Sequence, residues 1–235
     1  MKKLPEFKCR ASAAGQIATK PRSKNDLISA TSKTFIDAWV KEQLFGRQKS
    51  FSSKQIEKGI EMEEDAIEFA SKIGIIGADA VKNETWFEDD FFTGTPDVIE
   101  ADCVSDIKCS WDAFTFPMFA DSIPTKGYEL QLQIYMHLTQ KKRSKLVYCL
   151  MDSPTHLIEK EARRVMYDRG ETELSQELFD EMKSHMTYSN EPIEMRTRIF
   201  DVDYNEEVIN DLKSKVMDCR SFIDLTIREK LEKIG

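Results

Sequence analysis

The stretch GTPDVIEADCVSDIK, residues 94–108, decides the fold that we expect for this chain. The apolar runs at residues 91–95 and 103–109 are rich in β-branched and aromatic side chains. They flank the polar corner Glu100-Ala101-Asp102, and this arrangement predicts a β-hairpin.

The hairpin would place two aspartates opposite each other. If residues 101–102 form a two-residue turn, Asp97 pairs with Asp106, at about 5.5 Å between Cα atoms. Asp106 and Lys108 then leave the same face of the strand, and Ile107 points to the other face, into the core. Ala-Asp is not a favoured turn pair, which leaves a slipped register open.

This set of polar groups favours metal-dependent cleavage of phosphodiesters. Two carboxylates, with a main-chain carbonyl, suit a hard cation such as Mg²⁺, which completes its shell with water and substrate oxygen. A lysine supplies positive charge near the attacking water or the phosphate. The alternative is an exposed hairpin with weak surface ion pairs. An isolated D-x-K is common, but a Pro-Asp nine residues before it makes the pattern more specific.

A helix upstream offers a third acid. Residues 53–73 predict an amphipathic helix whose apolar side carries Ile56, Ile60, Ala66, Ile67 and Ala70. Glu63 lies one turn after Ile60, so its carboxylate should turn inward, where a metal is one possible partner. An ordinary glutamate at the boundary of the core is the alternative.

A helix downstream offers two further polar groups. Residues 128–139 carry apolar side chains at helical spacing, and Gln131 and Tyr135 lie one turn apart on an adjoining stripe. Gln131 would orient water or bind the DNA backbone, and Tyr135 would hold Lys108 or pack beneath it. A core helix with a tyrosine at its edge is the alternative.

Together these motifs resemble the PD-(D/E)xK nuclease superfamily and, more narrowly, the lambda exonuclease or YqaJ-type viral recombinase family. The resemblance implies an α/β fold with a restriction-endonuclease-like core, in which helices flank a central mixed β-sheet. It implies Mg²⁺, with Mn²⁺ as a substitute, and the catalytic set Glu63, Asp97, Asp106, Lys108, Gln131 and Tyr135. The metal ligands would be Asp97, Asp106 and the carbonyl of Ile107, with Glu63 completing the acidic cluster or a second ion site.

The N-terminal stretch resembles the part of that family which grips DNA. By this resemblance Ser12 contacts the terminal 5′ phosphate, and Arg22 reaches the DNA where its strands part. Pro5 stands where the family pattern carries an arginine, and Arg10 or Lys8 would substitute for it. Dependence on a 5′ phosphate is therefore left open.

The charge of the chain is unevenly distributed. The net charge is −8, but residues 1–55 hold twelve Lys or Arg against four acids, which is +8 and leaves −16 for the remainder. Phosphate contacts should therefore concentrate in this basic N-terminal segment, where apolar residues predict helices. A solvated, unstructured arm is the alternative.

The rest of the sequence predicts one nuclease domain over residues 1–235, since 235 residues with 40% hydrophobic content suffice for one sizeable core. A buried strand at 145–151 favours a parallel crossover. A helical insertion at 155–188, an edge strand at 194–203 and a terminal helix at 205–233 follow. No C-x-x-C pair predicts a zinc site, and no signal peptide or membrane-spanning run is present, so we expect a cytoplasmic protein.

The sequence thus predicts a Mg²⁺-dependent exonuclease that acts on the ends of linear double-stranded DNA. The family resemblance further implies 5′ to 3′ polarity, phage-type recombination by single-strand annealing with an annealing protein as partner, and a homotrimer. It also implies a phage or prophage gene expressed in a bacterial host. Two alternatives stay open: a structure-specific or restriction-type endonuclease on the same core, and a catalytically silent DNA-binding or assembly protein.

Overall fold

Short strands before residue 100 and longer strands after it alternate with helices in the computed structural model, which describes residues 4–49 and 53–233. The strands are β1 (Cys9–Arg10), β2 (Phe87–Glu88), β3 (Phe92–Gly94), β4 (Val98–Ile99), β5 (Cys103–Cys109), β6 (Arg143–Cys149) and β7 (Thr197–Asp203). The helices are α1 (Ala14–Ile17), α2 (Ala30–Phe45), α3 (Lys54–Glu61), α4 (Glu63–Lys72), α5 (Lys126–Thr139), α6 (Thr155–Asp168), α7 (Gln176–His185), α8 (Glu206–Phe222) and α9 (Arg228–Glu232). Short 3-10 turns at Ala11–Ala13 and Ile193–Met195 and a π-helical turn at Ile223–Ile227 complete these elements.

The strands of the described residues form two mixed sheets. The first has the order β1-β3-β2, and the second has the order β4-β5-β6-β7. In the second sheet β5 and β6 are parallel, while β4 and β7 pair antiparallel at the two edges. The α/β fold class is confirmed, although the strands divide between two sheets where one central sheet was predicted.

The register predicted for the hairpin is confirmed. Val98 pairs with Ser105 and Ile99 with Val104, so the same register places Asp97 opposite Asp106. The first arm of the hairpin is shorter than predicted, however, because residues 92–94 form β3 and belong to the other sheet. Pro96 separates β3 from β4, and a proline has no N–H to donate to a ladder.

Helix α5 connects the parallel strands β5 and β6, as the strand-helix-strand pattern predicted. The face of β5 that carries Ile107 packs against α4, in a core with Ala66, Ala70 and Val147. The opposite face of β5 lies against α5, and this is the face that carries Asp106 and Lys108. The crossover therefore covers the polar face of β5 with α5.

The predicted helix at 53–73 is divided into two. Ser53 caps α3 by accepting a hydrogen bond from Ile56 N–H, and α4 begins at Glu63 after Met62. Ala66, Ile67 and Ala70 are buried as predicted, but the prediction for Ile56 and Ile60 is wrong, because both are exposed. The side chain that α3 buries instead is Lys58.

The C-terminal third follows the predicted order. Helices α6 and α7 occupy residues 155–188, and Gly170, with φ of +74°, lies between them. Asn205 caps α8 by accepting hydrogen bonds from the N–H groups of Glu207 and Val208. That residues 155–188 are an insertion remains a prediction. In the part of the chain that the structure describes, no helix is long and apolar enough to cross a bilayer.

Candidate active site

The carboxylate of Asp97 lies where the pairing of β4 with β5 stops. Among the described residues this ladder runs only as far as Val98 and Ser105. Beyond it, Asp97 Oδ2 accepts a hydrogen bond from Ile107 N–H at 2.7 Å. The side chain of Asp97 thus takes the place of the next ladder bond, which holds it beside Asp106.

Asp106 is almost fully buried, with 1% of its side chain exposed, and each of its oxygens faces a different group. Oδ1 accepts a hydrogen bond from Gln131 Nε2 at 2.9 Å. Oδ2 lies 2.6 Å from Lys108 Nζ in an ion pair, but no donor of the described residues is aligned for a hydrogen bond to it.

Gln131 and Tyr135 lie one turn apart on α5, on the side of the helix that faces Asp106. The Nε2 group of Gln131 also donates to the hydroxyl of Tyr135 at 2.9 Å, so one amide group bridges the tyrosine and the aspartate. Gln131 and Tyr135 are each 5% exposed. The structure therefore brings both predicted residues to the site, where their contacts fix the orientation of Asp106.

Lys108 Nζ lies between the acids and an aromatic ring, 5.2 Å from the ring centre of Tyr128. Burial alone lowers the pKa of Lys108, but the charges of Asp106 and Asp97 outweigh this effect, so its pKa is raised. Lys108 is therefore held as a cation at neutral pH.

The electrostatic balance of the site favours a further positive charge. Burial, the carboxylate of Asp106 and, least of the three, Glu63 raise the pKa of Asp97 to about 8, against the opposing effects of Lys108 and of the Ile107 N–H. With both carboxylates ionised, the single lysine would leave one negative charge uncompensated, so a bound cation would lower the pKa of Asp97 and stabilise its ionised form.

Glu63 lies at the margin of this group. It is the first residue of α4, its side chain is 24% exposed, and its Oε1 atom lies 3.4 Å from Lys82 Nζ. Among residues 4–49 and 53–233, no three His, Cys, Asp or Glu side chains are arranged to hold a metal ion. The structure therefore brings together two carboxylates, with Glu63 beside them and not among them.

A backbone oxygen extends this pair of carboxylates. In an antiparallel ladder the N–H and C=O of one residue point toward the same neighbouring strand. Because the Ile107 N–H points at Asp97, the carbonyl of Ile107 is directed to the same side. Two carboxylates and a carbonyl fit Mg²⁺, which has oxygen ligands and keeps several of its waters.

The predicted DNA-binding residues divide between two places. Arg10 and Ser12 line a cleft of about 570 Å³ that is also lined by Trp39 of α2. An adjoining cleft of about 400 Å³ includes Arg10 again, together with Lys8. Arg22 lies apart from both clefts, exposed in the segment between α1 and α2.

The sequence did not reveal the roles of two residues that support the site, Asn83 and Gly94, or the burial of Lys58 on α3. Asn83 N–H donates to the carbonyl of Asp97 at 2.7 Å, and Asn83 Nδ2 donates to that of Pro96 at 2.9 Å. Gly94 packs so closely that an added Cβ would lie 2.8 Å from the Tyr135 ring. Lys58 is 0% exposed and donates to the carbonyl of Trp111 at 2.8 Å. Residues 78–86 lack periodicity, so only the closeness of Asn83 to the hairpin in sequence hinted at its role.

Comparison with protein-family models and with curated proteins gives no match. Among solved structures, the chain is similar to a phage-related exonuclease from Haemophilus somnus 129PT, with 25% identity, a TM-score of 0.79, and coverage of 96% of this chain and 97% of that one. It is also similar to an alkaline exonuclease from Laribacter hongkongensis, with 15% identity, a TM-score of 0.64, and coverage of 97% and 95%. A complex of the latter enzyme with dAMP gives 16% identity, a TM-score of 0.63 and the same coverage.

These similarities extend over nearly the whole length of each chain. The second and third support the fold alone, because their sequence identity is low. The first supports both the fold and the resemblance to lambda-type exonucleases that the motifs predicted, and that resemblance is confirmed.

Proposed function

We propose, from this chain's resemblance to the lambda exonuclease type of PD-(D/E)xK nucleases, that it is a metal-dependent DNA exonuclease. The observation that carries the proposal is the contact of Asp106 with both Gln131 and Lys108, beside Asp97. Exonuclease is also the activity by which the similar proteins are described.

We assign the metal to Asp97, Asp106 and the carbonyl of Ile107. A bound Mg²⁺ would lower the pKa of a water molecule and offset charge on the phosphate oxygens. Asp97 is held for this role by the Ile107 N–H, and Asp106 by the amide of Gln131. Glu63 is near enough to raise the pKa of Asp97, and we assign it to completing the acidic cluster or a second ion site.

Lys108 acts on the substrate side of the site. It is charged, and its Nζ is positioned between Asp106 and Tyr128. From this position it polarises the attacking water or stabilises the negative charge that develops on the phosphate. Tyr135 accepts a hydrogen bond from the amide of Gln131 and acts through that residue.

The finer assignments rest on the family resemblance. We propose that the enzyme degrades one strand of linear duplex DNA from its 5′ end, with Arg10 and Ser12 at the terminal phosphate and Arg22 at the point where the strands part. We further propose a homotrimer, an annealing protein that receives the exposed strand during phage-type recombination, and action in the cytoplasm of a bacterial host.

Three substrates separate this function from its alternatives. Linear duplexes with a 5′ phosphate or a 5′ hydroxyl, and covalently closed circles, are incubated with Mg²⁺ or with EDTA. We expect Mg²⁺-dependent nucleotide release from the linear DNA and intact circles. Nicked circles would identify an endonuclease. No cleavage of any substrate, together with no Mg²⁺ binding by calorimetry, would identify a catalytically silent protein.

A further inference from the structure

Trp86 presents a large aromatic surface to solvent close to the candidate active site. It is 55% exposed, and within the described residues its side chain makes no ring contact and no hydrogen bond. Tryptophan is highly buried on average in folded proteins, and its ring offers a large flat surface for contacts. An exposed and unpartnered indole beside a catalytic centre therefore suggests a ligand.

The strand register fixes how near Trp86 lies to the metal site. Phe87 pairs with Gly94 and Glu88 with Thr93, so the same register places Trp86 opposite Thr95. The Cα atoms of opposed residues are about 5 Å apart, and two residues along an extended chain cover about 7 Å. The Cα atom of Trp86 thus lies within about 12 Å of that of Asp97.

A side chain of the preceding segment ties Trp86 to the site. Asn83, three residues before Trp86, hydrogen-bonds to the carbonyls of both Asp97 and Pro96. The position of the Trp86 backbone relative to Asp97 is therefore set by direct contacts. The limit of about 12 Å between their Cα atoms corresponds to at most about three or four steps of a DNA strand at 3.4 Å each.

The cleft beside Trp86 is lined by three basic residues, Lys8, Arg10 and Lys49, and by two acids, Glu6 and Glu42, so basic residues are in excess. Trp86 and Thr93 line one cleft with Arg10 of β1, and Arg10 pairs with Thr93 across the sheet. The guanidinium of Arg10 is exposed and makes no ion pair with the described residues. A cation for phosphate and an aromatic ring for a base are the two elements of single-strand DNA binding.

We propose that Trp86 binds a nucleobase at the end of the DNA by stacking, which positions the terminal nucleotides over Asp97 and Asp106. This inference rests on the proposed function and deepens it. Stacking is sequence-tolerant because every base has a π-face, so the site accepts any terminal base, as an exonuclease requires.

The test uses a blunt duplex with 2-aminopurine as the terminal base, whose fluorescence changes when the base stacks. It is titrated in EDTA, so that no cleavage occurs, with the wild type, Trp86→Ala, Trp86→Phe and the control Tyr167→Ala, which removes an exposed ring from α6. We expect a fluorescence change with the wild type and Tyr167→Ala, most of it with Trp86→Phe, and none with Trp86→Ala.

With Mg²⁺ present, Trp86→Ala should raise KM by about fivefold to a hundredfold, the range of one lost stacking contact, with kcat changed by less than about twofold. An unchanged KM and fluorescence signal, in an active enzyme, would overturn the role of Trp86 and leave the proposed function intact. If Trp86→Ala altered only the sedimentation of the protein, the cleft would be a contact between copies, and the inference would also be wrong. A wild type that neither binds nor cleaves DNA would refute the proposed function itself.

Discussion

At the scale of single residues, the buried amide of Gln131 connects the site to α5. It donates hydrogen bonds to Asp106 and to Tyr135, and neither partner is exposed to water that would replace it. The spacing of Gln131 and Tyr135 predicted that the two would share a face, since residues four apart on a helix are neighbours. It did not show that the amide would point at Asp106.

We predict that substitutions of Gln131 and Tyr135 lower the cleavage rate by different amounts. Gln131→Leu leaves Asp106 Oδ1 without a donor, so cleavage should fall about tenfold to a hundredfold and the Mg²⁺ requirement should rise, as is usual when the partner of a metal ligand is removed. Tyr135→Phe keeps the bond to Asp106 and should cost much less. Rates measured over a Mg²⁺ titration check both, and full activity of Gln131→Leu at every Mg²⁺ concentration would contradict the assignment.

Lys58 is a buried cation that the sequence pattern does not predict. Its pKa is lowered from 10.5 to about 8 by burial, although the nearby Cys109, Asp152 and Asp112 oppose the shift. Between pH 8 and 10.5 the unfolded chain therefore holds more protons at this position than the folded chain. The free energy of unfolding should rise with pH across that window, by about 3 kcal/mol at most.

We predict that Lys58→Met removes this rise. Methionine has a similar length and no charge, so the variant should show a flatter dependence of stability on pH, while other groups titrate alike in both proteins. Urea unfolding at pH 7, 8, 9 and 10 measures the difference, with the exposed Lys72→Met as the control. Parallel pH profiles of stability for Lys58→Met and the wild type would show that folding does not lower the pKa of Lys58.

At the scale of elements, the strands near the site are brought together by close packing. Gly94 of β3 lies against Tyr135 of α5, and an added Cβ would meet the ring at 2.8 Å and Ala11 Cβ at 3.1 Å. The first sheet, the 3-10 turn after β1 and helix α5 therefore meet at one glycine. This contact is one of those that link the N-terminal cleft to the candidate catalytic residues.

We predict that Gly94→Ala destabilises the protein by about 1–3 kcal/mol, the usual cost of overpacking, and lowers activity because a displaced Tyr135 ring would shift the Gln131 amide that holds Asp106. Gly59→Ala is the matched control, because nothing lies within 4 Å of its added Cβ. In the helix α3 it should stabilise by about 1 kcal/mol. Equal melting temperatures for the two variants would refute the packing account.

Local sequence patterns predicted most helices and strands, but not where the helix at 53–73 breaks or that the strands form two sheets. The alternation around residue 103 and the turn at 101–102 gave the correct register, because a two-residue turn fixes the pairing. Helical periodicity at 53–73 did not reveal the break at Met62, and it assigned Ile56 to the core where Lys58 lies. A lysine is expected at the surface, and only tertiary contacts with Trp111 and Tyr188 place it inside.

At the scale of the whole molecule, the fold places the basic and acidic parts of the chain where each would be used. The N-terminal region that holds the excess of Lys and Arg lines the clefts with Arg10 and Lys8. The acidic remainder includes the pair at Asp97 and Asp106, which a metal would offset. This uneven distribution of charge was predicted from composition. The contacts of Asn83 and Gly94 that connect the N-terminal cleft to the candidate active site are not encoded in any sequence pattern.

The central claim is that Asp97, Asp106 and Lys108 form one metal-dependent phosphodiesterase centre, and Lys108→Ala tests it most directly. The release of nucleotides from linear duplex DNA with Mg²⁺ is measured for the wild type, Lys108→Ala and the exposed control Lys72→Ala, with DNA binding measured in EDTA. We predict that Lys108→Ala lowers the cleavage rate at least a hundredfold, by about the effect of removing one charge-stabilising group, while DNA binding and the control stay near the wild type. Full Mg²⁺-dependent activity of Lys108→Ala would contradict the account.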